Sequence, residues 1–74
     1  MKLYIRIKEY WFDQKVIFPT MDRHRAFTVK DDEKSDGEYE LQVHVYEGEE
    51  LLTIHAWVEE IGGWEVRWQN SPTT

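Results

Sequence analysis

The stretch EYELQVHVYEGEELLTIHAWVEEIGGWEVRWQ, residues 38–69, alternates apolar and polar residues through three strand-length segments separated by two glycine turns. Alternation of this kind is typical of strands with one buried face, and glycine turns between such segments are typical of hairpins. The pattern predicts a three-stranded antiparallel meander with strands at 39–46, 51–59 and 64–69. A three-stranded sheet leaves its apolar face in water, so we expect the first half of the chain to cover it.

The turn residues predict the register of this meander. A two-residue loop at 48–49 places Val45 opposite Leu52, and a three-residue loop at 61–63 follows the second strand. Because side chains alternate between the two faces of a sheet, this register gathers the apolar residues on one face. The predicted interior face contains Tyr39, Leu41, Val43, Val45, Leu52, Ile54, Ala56, Val58, Trp64, Val66 and Trp68.

The first half of the chain predicts further strands. Residues 2–12 predict a strand that opens with Leu3, Ile5 and Ile7 on one face and Tyr4, Arg6 and Lys8 on the other, and after a turn residues 15–18 continue an apolar face as far as Pro19. Proline ends this run because it cannot donate to a strand ladder. Residues 26–30 predict a third short strand. Together with the meander, these segments predict an all-β fold, a small antiparallel barrel or sandwich of about six strands.

Length and composition limit the class of protein. A chain of 74 residues has room for a single β domain over residues 1–74, and its tail at 70–74 is expected to fray. No cysteine is present, which excludes disulfides and thiolate metal sites and favours a cytoplasmic location for so small a domain. Since no signal peptide or long apolar stretch is visible, we expect no membrane association.

The charge of the chain is unevenly distributed. Residues 1–30 contain seven Lys or Arg against three Asp or Glu, whereas residues 31–74 contain two against twelve. The halves have net charges of +4 and −10, which together give −6. Basic strands could pair beside acidic ones, or part of the acidic half could face outward as a partner-binding or nucleic-acid-mimicking surface. Direct binding of nucleic acid is not expected from so acidic a chain.

The predicted register also defines an outer face of the meander whose side chains suit intermolecular contact. On that face Trp57 opposes Arg67, which allows the cation to stack on the indole ring. His44 lies diagonal to His55, but zinc needs three or four ligands and no third donor is in register, so we expect no metal or other cofactor. The candidate binding residues are His44, Tyr46, His55, Trp57 and Arg67 on this face and Glu47, Glu49 and Glu50 at the turn.

The sequence supports two interpretations of function. Catalysis needs a nucleophile, a base and an orienting group in a cleft, and no such set stands out, so we do not expect an enzyme. The first interpretation is a small acidic protein-binding module or inhibitor that docks on a larger, basic partner through the acidic, aromatic-containing face. The alternative is a structural or de novo designed β domain without biochemical activity. An edge strand could also pair with a second copy of the chain.

Overall fold

The computed structural model of the protein describes residues 1–30, 33 and 38–70. Of the tail predicted to fray, residues 71–74 lie outside the described residues. The described chain forms one sheet and one short helix. The elements are β1 (Lys2–Glu9), β2 (Gln14–Thr20), α1 (Arg23–Phe27), β3 (Glu40–Glu47), β4 (Glu50–Val58) and β5 (Gly63–Gln69). The sheet is antiparallel with strand order β2-β1-β3-β4-β5, which confirms the all-β class.

The sheet is open rather than closed into a barrel. β2 and β5 lie at its two edges, and the described strands form a single layer instead of two packed sheets. The bounds of the last three strands differ from the predicted bounds by at most one residue. Five strands are present in the described residues where about six were predicted.

The strand predicted at 26–30 is wrong, because residues 26 and 27 belong to helix α1 and residues 28–30 have no regular secondary structure. The side chain of Asp22 caps the helix, because its Oδ1 accepts hydrogen bonds from the backbone N–H groups of His24 (2.9 Å) and Arg25 (3.3 Å). Such a cap satisfies donors that the first helical turn would otherwise leave unpaired. The helix ends at Phe27, and the backbone of the next residue, Thr28, is extended.

The turn between β1 and β2 comes earlier than the alternation of residues 2–12 predicted. β1 ends at Glu9, and Tyr10 and Asp13 then exchange backbone hydrogen bonds of 2.7 and 3.4 Å. These bonds place Trp11 and Phe12 at the tip of the hairpin, where their side chains are 93% and 69% exposed.

The register predicted for β3 and β4 holds beside the turn at 48–49 and is then lost. Leu52 has no residue opposite it, because a β-bulge places Val45 opposite Thr53 instead. A shift of one residue moves every following side chain of a strand to the other face. The predicted interior residues that this shift moves to the opposite face are Ile54, Ala56 and Val58.

The loop between β4 and β5 also differs from the prediction. Val58 pairs with Gly63, so the loop between them has four residues rather than three. Trp57 is therefore opposite Trp64, and the predicted stack of Arg67 on Trp57 is wrong.

Helix α1 packs on one side of the sheet and so distinguishes its two faces. Ala26 of the helix joins Tyr4, Val43 and Val45 in a buried core, and Phe27 packs against them. Because strand side chains alternate, the pairing assigns every other residue to the same side. The helix face contains Tyr4, Arg6, Leu41, Val43, Val45, Thr53, His55, Trp57, Trp64 and Val66. The open face contains Leu3, Ile5, Ile7, Val16, Pro19, Gln42, His44, Tyr46, Leu51, Ile54, Ala56, Val58 and Trp68.

Candidate functional site

The structure does not bring the predicted binding residues together on one face. His44 and Tyr46 lie on the open face, whereas His55 and Trp57 lie on the helix face. Arg67 occupies a second bulge, in β5, and its guanidinium binds Glu40 at 2.7 Å and Glu65 at 3.3 Å. The predicted acidic residues lie around the β3–β4 turn, at the other end of the strands: Glu47, Glu49 and Glu50. The single contact surface expected from the sequence is wrong because two bulges shift the register.

The open face carries apolar side chains from four of the five strands. Val16 is 64% exposed and Trp68 is 44% exposed, and they lie on β2 and β5, the two edges of the sheet. Leu3, Ile5 and Ile54 between them are half-buried. A sheet face of this composition is ordinarily covered by a second layer. In the part of the chain that the structure describes, the helix packs on the other face and leaves this one uncovered.

The centre of the open face is polar but internally paired. His44 and Gln42 are both 7% exposed, and the His44 Nε2 lies 2.8 Å from the Gln42 Oε1. The Gln42 Nε2 in turn donates to Glu40 at 2.8 Å. Burial lowers the pKa of His44 below its ordinary value, although Glu9 partly offsets this effect. The ring is therefore neutral at pH 7, and no unpaired charge lies at the centre of the face.

One end of the open face is acidic. Glu9 is opposite Glu40 in the β1–β3 ladder, and Glu65 is opposite Ala56, so the three carboxylates lie on this face. Arg67 binds two of them. This acidic rim has three glutamates and one arginine, a net charge of −2.

The exposed aromatic pair at the β1–β2 turn was missed in the sequence. The prediction extends the strand through Trp11 and Phe12 because residues 2–8 alternate. The signal that the strand ends earlier is the loss of alternation after Lys8, where Glu9 and then three consecutive aromatic residues, Tyr10 to Phe12, follow. The rings of Trp11 and Phe12 contact each other, with centroids 5.3 Å apart.

A pocket of about 780 Å³ lies on the helix face beside α1. Its walls come from the helix and from β4 and β5, and they include His55. The His55 Nε2 lies 3.0 Å from the Thr53 hydroxyl. Burial and the nearby charge of Arg23 both lower the pKa of His55, so this ring is also neutral at pH 7. His44 and His55 lie on opposite faces, which rules out the predicted diagonal pair.

Comparison of the chain with protein-family models, with curated proteins and with solved structures finds no match. Among residues 1–30, 33 and 38–70, no cluster of three or more His, Cys, Asp or Glu side chains could hold a metal ion. Over the same residues, no helix has the length and apolar character that crossing a membrane requires.

Mild acid is expected to destabilise the fold. Because burial lowers the pKa of His44 and His55 in the folded protein, the unfolded chain, with histidine pKa of about 6.5, binds protons more readily. The contribution of these histidines to the free energy of unfolding should level off above about pH 7.5 and should fall as the pH drops through about 6.5 and below it. Urea denaturation at several pH values between about 5.5 and 7.5 measures this dependence.

Two glutamine variants identify the residues that cause this pH dependence. His44→Gln and His55→Gln should each flatten the dependence, because each removes one of the two rings whose pKa is lowered by burial. Equal slopes in the wild type and His44→Gln would show that His44 does not contribute.

Proposed function

We propose that this protein is a small protein-binding module that docks on a larger partner through the open face of its sheet. The observation that carries the proposal is the set of uncovered apolar side chains around the polar centre of this face, from Val16 on one edge strand to Trp68 on the other. Exposed apolar patches of this extent are typical of interaction sites, since burying them in a partner removes them from water.

The size of the open face supports this function. Five strands about 4.8 Å apart and about seven residues long give a footprint of roughly 24 by 23 Å, or about 550 Å². A standard interface buries about 800 Å² of accessible surface on each partner, so the footprint of the open face is of the same order as one side of a small interface.

The residues of the open face also have the composition of an interface. Trp68 and Tyr46 supply aromatic side chains, which are enriched among the residues that contribute most to binding. At the centre of the face, the neutral pair of His44 and Gln42 has its hydrogen bonds within the sheet, so a partner would not bury an unpaired charge there. This arrangement of an apolar patch with satisfied polar groups is favourable for docking.

Charge determines the kind of partner that we propose. The acidic rim formed by Glu9, Glu40, Glu65 and Arg67 favours a protein whose apolar contact surface is bordered by Lys or Arg. The net charge of −6 would also accelerate encounter with a basic partner. Two copies of this chain repel each other by the same charge, so the open face favours a different protein over a second copy. Pairing of edge strands between copies stays a prediction.

Affinity capture from a lysate of the source cells tests the proposal with a matched pair of surface variants. Val16→Ser/Trp68→Ser changes two exposed residues of the open face. The control is Val66→Ser, which alters a residue 52% exposed on the helix face of β5. The wild type and the control should retain the same basic protein, and the double variant should lose it. Retention should weaken at high salt, because the acidic rim contributes to binding.

Other results would contradict this assignment. Retention of the same protein by all three folded chains would exclude the open face as the interface. Loss of the partner only on charge reversal of Glu47, Glu49 and Glu50 would move the interface to the β3–β4 turn. Capture of no protein by any chain would support the alternative, a structural β domain without a partner. Near-ultraviolet circular dichroism of each variant would establish that it is folded.

A further inference from the structure

The pocket beside α1 has features of a ligand site that are independent of the open face. Arg23 and Phe27 of the helix lie on one side of it, and His55 and Trp64 of the neighbouring strands lie on the other. The sheet itself separates this pocket from the open face. From its walls and its charge, we infer that the pocket binds a small organic anion with a planar apolar group, such as an aromatic carboxylate.

The aromatic walls of the pocket suit a planar group. The Phe27 ring meets His55 at 86° with centroids 5.0 Å apart, and it meets Trp64 at 90° with centroids 5.3 Å apart. The indole Nε1 of Trp64 donates a hydrogen bond of 2.9 Å to the Phe27 carbonyl, which holds the two rings in this arrangement. Perpendicular rings offer both a face and an edge to a third ring. Because the walls are held in place, little side-chain entropy would be lost on binding.

The charge of the pocket suits an anion. The guanidinium of Arg23 lies 4.9 Å from the centroid of Phe27, and in the described part of the chain it forms no ion pair. Among the residues that the structure describes, none that lines the pocket is acidic, although 15 of the 74 residues of the chain are acidic. An arginine fork can hold a carboxylate through two parallel hydrogen bonds, and such charge-assisted bonds are stronger than neutral ones. The guanidinium of Arg23 thus lies within reach of the carboxylate of a ligand whose planar group packs against the aromatic walls of the pocket.

The other side of α1 provides a contrast within the same molecule. A second cavity there contains the cation Arg25, whose guanidinium lies 4.6 Å from the centroid of Phe18. That cavity is also lined by the carboxylates of Asp22 and Glu33. Arg25 and Arg23 are both arginines of α1 that contact an aromatic ring, but only the cavity of Arg25 has described acidic residues in its lining. Arg25 is therefore the appropriate control.

Titration with 2-naphthoate and with its neutral amide, followed by the NMR signals of the wild-type protein, tests the inference. We expect 2-naphthoate to shift the indole N–H signal of Trp64 in a saturable manner, and the amide to bind about tenfold more weakly. Arg23→Gln should weaken 2-naphthoate binding about tenfold and remove the difference between the two probes. Arg25→Gln should change the affinity less than about twofold.

Three results would overturn the inference. The first is the absence of a saturable shift at Trp64 with 2-naphthoate at millimolar concentration. The second is equal affinity of the wild type for the acid and the amide, and the third is an equal loss of affinity in Arg23→Gln and Arg25→Gln. Both variants change exposed side chains, so a folded spectrum is expected for each. None of these results bears on the open face.

Discussion

Replacing Arg6 with alanine is expected to lower the free energy of unfolding by about 3–5 kcal/mol. The side chain of Arg6 is fully buried on the helix face. One guanidinium nitrogen donates to the carbonyls of Ala26 (2.8 Å) and Thr28 (2.9 Å), and the other binds the Glu33 carboxylate at 3.1 Å. Alanine would leave these acceptors without their donor and create a cavity beneath the helix.

The surroundings of Arg6 explain why a cation is tolerated in the core. Its guanidinium carbon lies 5.5 Å from the ring centroid of Trp64 and 5.9 Å from that of Phe18. Cation–π contacts with these rings therefore stabilise the charge in addition to the hydrogen bonds to oxygen atoms. Burial lowers the pKa of Arg6, and the nearby carboxylate of Glu33 opposes this shift. Through its hydrogen bonds to Ala26, Thr28 and Glu33, Arg6 holds these residues of the β2–β3 connection against the sheet.

Urea denaturation followed by circular dichroism measures the decrease in the free energy of unfolding of Arg6→Ala, and Arg25→Ala is the control. Arg25 also lies over an aromatic ring but is exposed, so its removal should change stability by less than about 0.5 kcal/mol. Arg6→Lys should recover only part of the stability, because one ammonium cannot reproduce the geometry of the fork. A loss of less than about 1 kcal/mol in Arg6→Ala would mean that water replaces the guanidinium at both carbonyls.

The strands could be located from the sequence because alternation is a local property. The register could not, since it depends on which face the rest of the chain covers. One sign of the shift was visible in the adjacent apolar residues Leu51 and Leu52, which interrupt the alternation where the bulge forms. The second bulge, at Arg67, falls within an alternating segment and leaves no such sign.

Which face of β1 is covered by the helix could not be predicted from the sequence either. Leu3, Ile5 and Ile7 form the more apolar side of this strand, yet α1 covers the side with Tyr4 and Arg6. The carbonyls that make burial of Arg6 possible belong to residues 20 and 22 positions further along the chain. Helix α1, with five residues, is too short for a helical period to be recognised.

The candidate site was predicted only in part for the same physical reason. Tyr46 and His44 are on the open face, and Arg67 binds carboxylates of the acidic rim there. The rest of the face that we propose for docking consists mainly of the apolar side of β1 and of residues of β4 that were predicted to be interior. Residues such as Ile54 were expected to be covered by the first half of the chain. Instead, the described part of that half contributes two strands to the same sheet and a helix to its other side.

Replacing Trp64 with alanine is expected to cost about 2–4 kcal/mol, because this side chain links edge strand β5 to the helix. Its indole nitrogen donates to the Phe27 carbonyl at 2.9 Å, and its ring lies 5.3 Å from that of Phe27 and 5.6 Å from that of Trp57. Trp64→Phe would keep an aromatic ring and lose the hydrogen bond, for a cost of about 1 kcal/mol. Urea denaturation of the purified variants measures both values.

The matched control is Trp68→Ala, which removes the same type of side chain from the same strand on the opposite face. Trp68 is 44% exposed and no helix packs against it in the described chain, so the cost should be less than about 1 kcal/mol. Equal losses for Trp64→Ala and Trp68→Ala would show that the open face is covered in the isolated protein. That result would also contradict the proposed docking surface, because a face already buried within the chain cannot receive a partner.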